Sequence, residues 1–562
     1  MTSSDPRSGR GTRTGCGGLL VLAALVASVS GLLLGYEMGL ISGAVLQLRD
    51  ALSLSCRSQE LLVSSFLLGA LLLSLAGGAI LDRWGRKFAI VLTAVLVAAG
   101  TLVRVCGSSL PALVLGRTVV GMAVALSGTA SCLYIAEVAP QAWRGRLVCL
   151  YELMVVLGVL LGFGLSWGFS GVTDGWRYTF AAALPPAVTQ AVAMHFLPQS
   201  PRFLLLRGRE KEARAVLTRL RGPSPGAAAV DEELRAIQAA LNAERQHGFL
   251  DLFRCHDNMR QRLLVGVVLV FLQQMTGQPN LLSYASTVLH HMGFHSDQAA
   301  TLASTGLGVV KVGGTIPAIL LVDRVGSKAF LCVGAAVMTF SLTALGMATM
   351  QSHTQVVSLC QSPAGLNHTP WGRGENQAGK PVGLYQLKLN HTHLRMNPAP
   401  RTETSDTQVN GNRSLLEDIF VDVAHEGVAP SLKWISLVSL LVYVAAFSFS
   451  LGPMVYVVLS EIFPTGIRGK AVSVVSAFNW ATNLLVSVTF LTLSETVGLS
   501  TVIFSYAAMS FVLLMFVLLC IPETKGRSLE QISKDLAIRN HLLKRWRPKV
   551  DEHLEAKGFR PA

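Results

Sequence analysis

Residues 134–146 read YIAEVAPQAWRGR, and residues 458–470 read VLSEIFPTGIRGK. Superposing Glu137 on Glu461 brings Pro140 onto Pro464, Arg144 onto Arg468 and Gly145 onto Gly469, at a constant offset of 324 (461 minus 137). The same offset carries Pro198 onto Pro522. A shorter pair, DRWGRK (82–87) and DRVGSK (323–328), recurs at 241 (323 minus 82), the smaller offset that a long insertion after its second copy would produce. The chain reads as two related halves with the same charged punctuation at the same turns. Ser327, where the first half has Arg86, is a departure expected to thin the second network.

Between these turns the sequence is apolar. Of 562 residues, 51% are hydrophobic and 14% charged, against about 25% charged in an ordinary soluble domain. Residues 17–36, 61–81, 118–136, 153–173, 263–289, 329–352, 434–460, 471–494 and 496–522 contain no Asp, Glu, Lys or Arg. Most reach the roughly 20 residues a membrane-spanning helix needs. Three weaker runs join them: 88–110, interrupted by Arg104; 178–197; and 299–322, which carries Lys311. The expected fold is an all-α membrane protein of twelve transmembrane helices in two pseudo-symmetric six-helix bundles. The first run follows Arg7, Arg10 and Arg13 but exceeds the apolar core of a cleaved signal, so it reads as the first span.

The formal net charge of +14 follows the positive-inside rule and does not indicate a nucleic-acid partner. Arg83, Arg86, Lys87, Arg144, Arg146, Arg324, Lys328, Arg468 and Lys470 fall in short loops on one side, which is therefore expected to be cytoplasmic. On that side also fall an N-terminus (1–16), a polar loop (198–262) with helical periodicity near 209–220 and 231–246, and a tail (523–562) bearing basic patches such as Lys544-Arg545-Trp546-Arg547. The N-terminal bundle is 17–197 and the C-terminal bundle 263–522. Residues 353–433, after the ninth span, are expected outside; the sequons at Asn367, Asn390 and Asn412 all lie there, with none elsewhere. Of nine cysteines, which show no CxxC spacing, only Cys56 and Cys360 fall in expected external loops, where a disulfide can join them. No metal cluster, phosphate-binding loop or nucleophile–base arrangement points to a cofactor or an enzyme.

Glu137 and Arg144 in one half, and Glu461 and Arg468 in the other, stand at the cytoplasmic ends of helices. With Arg83 and Arg324 they can pair across the joint between the halves and bias it between open and shut. Each exposed pair contributes only about 0–1 kcal/mol, yet a network can tip two conformations that differ by a few kcal/mol. The bland alternative is charge that merely orients loops, which requires neither the Glu nor the fixed Pro. Duplicated six-helix halves with a site near the bilayer midplane are the architecture of a rocking transporter.

Gly116-Arg117-x3-Gly121 leading to Tyr134-x2-Glu137-x2-Pro140-x3-Arg144-Gly145, with PQSPR (198–202), QQMTG (273–277), FNW (478–480) and PETKG (522–526), resembles the sugar-transporter branch of the major facilitator superfamily. The long loop after the ninth span, DLFRCHDNMRQR (251–262) and STGLGVVKV (304–312) resemble its class III facilitative glucose transporters. The resemblance covers nearly the whole chain. It implies hexose transport, D-glucose foremost, by alternating access across the plasma membrane or an endomembrane, with both termini cytoplasmic.

A sugar at the midplane has lost its water, so its hydroxyls need neutral groups that donate and accept; amides do both. Gln273, Gln274 and Asn280 lie on the seventh span, and Asn479 and Asn483 on the eleventh. The resemblance implies that Gln273, Gln274 and Asn479 contact the sugar; interhelical bonding is the alternative. Asn280 stands one position later than the Asn of the related transporters. Gly452-Pro453 can break the tenth span and let its outer half bend over the site, where Tyr456 can stack on a sugar face and add a hydroxyl; Trp480 is the remaining aromatic at that level, with simple packing as the alternative. Buried charges cost about 2.5–3.5 kcal/mol on insertion scales and so point to function. Glu37 stands where proton-coupled relatives commonly carry Asp, with Arg117 matching its partner, so this pair either couples protons to sugar or is a permanent structural pair. Glu152 and Lys311 replace neutral residues of many relatives. Either they pair across the cavity or each bonds separately to sugar or to neighbours, and Glu152 is a second candidate proton acceptor. Coupling is thus open between uniport and proton symport, and a rival reading is a sugar sensor that binds without transporting.

Overall fold

The computed structural model describes residues 18–140, 143–222, 227–245, 252–253, 259–292, 294, 296–351, 430–463 and 467–521. All regular structure among them is helical. The first half comprises α1 (Gly18–Leu52), α2 (Cys56–Trp84), α3 (Arg86–Cys106), α4 (Leu110–Val138), α5 (Arg144–Gly168) and a sixth span broken into α6 (Gly175–Ala181) and α7 (Leu184–Phe196). Short helices α8 (Pro201–Leu206), α9 (Glu210–Arg221) and α10 (Ala227–Arg245) follow. The second half begins with a seventh span in three pieces, α11 (Met259–Met275), α12 (Gln278–Ser283) and α13 (Ala285–His291). It continues through α14 (Asp297–Val325), α15 (Ser327–Gln351), a tenth span split into α16 (Pro430–Phe449) and α17 (Leu451–Ile462), α18 (Arg468–Val497) and α19 (Leu499–Cys520).

Among the described residues, ten helical stretches are long and apolar enough to cross a membrane. The broken sixth and seventh spans complete twelve. The breaks have local causes. Pro185-Pro186 open α7, where a missing N–H costs little. Gly277, at φ 83°, separates α11 from α12 in a conformation other residues avoid. The tenth span breaks at Ser450, just before Gly452-Pro453, so Pro453 sits harmlessly in the first turn of α17.

The repeat is visible in the turns. Gly85 (φ 85°) joins α2 to α3 and Gly326 (φ 94°) joins α14 to α15, so each DRxG turn uses its glycine at a positive φ that other residues avoid. Lys87 Nζ donates to the carbonyls of His195 and Leu197 at the end of the sixth span, each at 2.7 Å. Lys328 Nζ donates to those of Leu518 (3.1 Å) and Ile521 (2.6 Å) at the end of the twelfth. One cation in each half thus satisfies carbonyls that a helix end leaves without partners.

Within the first half α1 packs on α5 backbone to backbone. A Cβ on Gly35 would lie 1.8 Å from the Val155 carbonyl oxygen, and one on Gly158 2.1 Å from that of Leu32. Such small-residue contacts drive packing where lipid is as apolar as the helix surface. Outward-facing Leu75, Phe196, Leu320 and Phe340 are each 70% or more exposed, as a lipid-facing surface requires. Helices α8–α10 bury a small core of Leu204, Leu205, Ala213, Leu234 and Leu241. Arg221 fixes this unit, pairing with Glu233 at 2.5 Å and donating to the Val138 carbonyl at 2.7 Å.

Cys56 is disulfide-bonded, and its partner lies outside the described residues. Cys360 lies there too, as do Asn367, Asn390 and Asn412 and the side chains of Arg324 and Arg468.

Candidate functional site

Three charged side chains meet deep in the first half. Glu37 on α1 is wholly buried and accepts two hydrogen bonds from Arg104 on α3, Nη1 to Oε2 and Nη2 to Oε1, both 2.7 Å. Arg117 on α4 approaches the same carboxylate at 3.8 Å and spends its Nε on the Leu62 carbonyl at 3.0 Å. Arg104 also reaches the Thr101 hydroxyl (2.9 Å) and lies 4.6 Å from the centre of the Phe180 ring; Arg117 lies 5.6 Å from that of Phe66. The neighbouring Gly116 leaves the space that Arg104 fills, since a Cβ there would be 2.5 Å from Arg104 Cγ. The expected Glu37–Arg117 pair therefore exists, but as the looser arm of a triad whose tight, two-pronged arm is Arg104. Arg117 Nη1 has no hydrogen-bond partner, and a small cavity lined by Glu37, Arg117, Ser283 and Asn483 opens beside it between the halves.

The amides gather in the second half. Gln274 Nε2 donates to Asn479 Oδ1 at 2.6 Å, and Asn479 Nδ2 donates to the Tyr456 hydroxyl at 3.3 Å. Gln273 Nε2 donates to the Leu451 carbonyl at 2.9 Å, tying α11 to the break in the tenth span. Gln273 Oε1 and Asn483 Oδ1 are buried acceptors without a partner, and the Tyr456 side chain stays open on one face. Trp480 is half-buried against the core. Asn280 forms no hydrogen bond with these amides among the described residues, and its Oδ1, like Gln273 Oε1 and Asn483 Oδ1, is a buried acceptor without a partner. It is fully buried and uses its amide on the Val486 carbonyl (2.8 Å) and the Tyr506 hydroxyl (2.9 Å).

Glu152 on α5 and Lys311 on α14 face each other from opposite halves, near enough for each to feel the other's charge. They do not touch as an ion pair. Lys311 Nζ instead lies 5.8 Å from the centre of the Phe447 ring.

At the end bearing the repeated motifs, Glu137 is bound within its own half. Arg86 Nη2 pairs with its Oε1 at 3.0 Å, the Ser200 hydroxyl donates to its Oε2, and Arg202 approaches at 4.0 Å. In the second half the Ser327 hydroxyl donates to Glu461 Oε2 at 3.4 Å, so a neutral donor occupies the place of the Arg86 guanidinium. Arg83 and Arg144 are exposed and form no ion pair among the described residues, and no pair there joins Glu137 to the second half. Of the expected network, Glu137 is thus paired within the first half, and the side chains of Arg324 and Arg468, which would complete the pairing across the joint, lie outside the described residues. Arg86, the residue that Ser327 replaces in the second half, supplies the strong contact. The halves are tied at the opposite end instead, by Ser42 to Ser286 at 2.9 Å and by Glu60 to Thr492.

A family model described as "Sugar (and other) transporter" matches residues 23–362 and 418–536. The chain belongs to this sugar transporter family. It is 63% identical over 553 residues to the Danio rerio protein named "Solute carrier family 2, facilitated glucose transporter member 12", spanning 95% of this chain and 90% of that one. The Homo sapiens protein of the same name is 48% identical, with 94% and 87% covered. Among solved structures, the partially occluded inward-open xylose transporter XylE from E. coli superposes with a TM-score of 0.67 at 25% identity, covering 91% of this chain and all of XylE. The chain is a multi-pass membrane transporter of the major facilitator fold, and not an enzyme.

Proposed function

We propose that this transporter carries hexoses, D-glucose foremost, by alternating access between its two halves. The observation that carries this reading is the amide group of α11, α17 and α18. Gln274, Asn479 and Tyr456 form a neutral hydrogen-bonded chain, with the Gln273 and Asn483 carbonyl oxygens lacking partners beside it. Groups that both donate and accept, held on rigid helices in a dry interior, suit a ligand that offers several hydroxyls and no charge. Tyr456 and Trp480 give apolar faces for the ring of the sugar, and Glu152 and Lys311 close the site from the two halves.

Facilitative uniport is the first reading for coupling, because Arg104 already binds both oxygens of Glu37 at 2.7 Å and leaves a proton to displace a two-pronged buried pair. Proton symport is the second, supported by the carboxylate itself and by a structural neighbour described as a proton:xylose symporter, which superposes at a TM-score of 0.66 and 26% identity. In our reading the motif end and both termini face the cytoplasm, with 1–16, 198–262 and 523–562 on that side of bundles 17–197 and 263–522. Asn367, Asn390 and Asn412 carry glycans in an external loop over 353–433, Cys56 pairs with Cys360, and the membrane is the plasma membrane or an endomembrane.

The test is labelled D-glucose uptake into proteoliposomes, with and without an inward proton gradient. Uptake that equilibrates and ignores the gradient supports uniport. Accumulation that Glu37→Gln abolishes, while exchange survives, establishes symport. Specific sugar binding with no exchange of label would turn the reading to a sensor.

A further inference from the structure

The contact at the end opposite the motifs rests on one buried carboxylate. Glu60 stands in the second turn of α2, 3% exposed. Its Oε1 accepts from the backbone N–H of Thr492 at 2.7 Å and its Oε2 from the Thr492 hydroxyl at 2.6 Å, both in α18 of the other half. Among the described residues Glu60 forms no ion pair, so both of its oxygens depend on donors belonging to the opposite half. A mid-helix N–H ordinarily serves the carbonyl one turn back; here it points at a side chain of another bundle.

Bonds to a charged acceptor are shorter and about twice as strong as neutral ones. A carboxylate stripped of its donors is costly unless water replaces them. The Glu60–Thr492 contact therefore has two stable arrangements: dry and bonded when this end is shut, hydrated and separate when it is open. The Ser42–Ser286–Ser304 chain, with both links at 2.9 Å, closes the same end with neutral groups and lacks this charge.

We propose that Glu60 is the gate-positioning residue of the transport cycle, setting how often the end opposite the repeated motifs opens. This rests on the alternating-access reading above, but its test reads the gate without sugar. Ile41, 1% exposed on α1 near Ser42, is changed to cysteine in a background whose free native cysteines are replaced by alanine. Its rate of reaction with a membrane-impermeant thiol reagent is then followed in proteoliposomes. Glu60→Ala should speed labelling about tenfold, Thr492→Val should speed it less because the backbone donor remains, and the double variant should add little to Glu60→Ala. Retained exchange of labelled D-glucose certifies the fold of each variant. If Glu60→Ala does not fold, Glu60→Gln, which keeps the shape, decides by the same measure. Labelling unchanged in a variant that still exchanges sugar overturns the proposal, as does lost exchange with unchanged labelling. If the unaltered protein exchanges no sugar, it is the transport reading that fails, whatever the labelling shows.

Discussion

Removing the anion and removing a cation from the Glu37 triad should have unequal consequences, because the triad is unbalanced. One carboxylate faces two guanidiniums, all three nearly or wholly buried, so the cluster carries a net formal charge of +1. Arg104→Gln reduces it to zero and leaves Glu37 the Arg117 guanidinium, 3.8 Å away and with a free Nη1. Glu37→Gln raises it to +2 and leaves two buried guanidiniums facing each other. Breaking a buried pair so that a charge is stranded costs about 3–5 kcal/mol. We expect Glu37→Gln to lose stability in that range and Arg104→Gln about 2 kcal/mol less, since a second partner compensates. The double variant, back at +1, should be more stable than the sum of the single losses predicts. Thermal unfolding of the four proteins in one detergent, read as apparent melting temperature with exchange activity alongside, checks the order. A Glu37→Gln variant as stable as the unaltered protein, or more stable than Arg104→Gln, would refute the reasoning, for it would mean the guanidiniums do not depend on Glu37.

Other expected outcomes follow from the same geometry. Gln274→Leu removes one hydrogen bond proposed to the sugar, about 1 kcal/mol, so the half-saturation concentration for D-glucose exchange should rise about 5-fold, while the lost bond to Asn479 lowers stability by about 1 kcal/mol. Asn280→Ala should do the reverse, costing about 1–3 kcal/mol of stability through the lost Val486 and Tyr506 bonds while leaving half-saturation nearly unchanged, as thermal unfolding and exchange kinetics will show. Gly35→Val should prevent a stable fold, since its Cβ would sit inside the Val155 carbonyl; loss of monodisperse protein on size exclusion is the readout.

The fold was legible because its causes are local and repeated. Uncharged runs of sufficient length dictate spans, and the doubled Glu-x-x-Pro-x-x-x-Arg-Gly dictates two halves. Partnership inside the membrane was less legible. Arg104 was visible only as an interruption of the third span, yet its cost in lipid demanded an anion at similar depth, and Glu37, matched by motif to Arg117, was the carboxylate of the first span. Arg117 drew attention through its motif and proved the more distant partner. Asn280, one residue out of register, follows the left-handed turn at Gly277 and spends its amide N–H groups on Val486 and Tyr506, partners that sequence spacing does not reveal. Glu60 lies at the margin of an apolar run, where a carboxylate reads as a boundary; only tertiary packing shows it buried against Thr492.

The placement of charge explains how such a molecule can rock without unfolding. The ion pairs Arg104–Glu37, Arg86–Glu137 and Arg221–Glu233 all lie within the first half and its following helices, and Lys87 and Lys328 each clamp a helix end of their own half. Breaking any of these would strand a charge or expose a helix end, so on the alternating-access reading each half is expected to move as a body. Among the described residues, the hydrogen bonds that cross between halves are of another kind: serine to serine, and a carboxylate to a threonine whose two donors water can replace. An interface held by exchangeable bonds keeps its two states within a few kcal/mol of each other, which is the range over which a bound sugar can shift the balance.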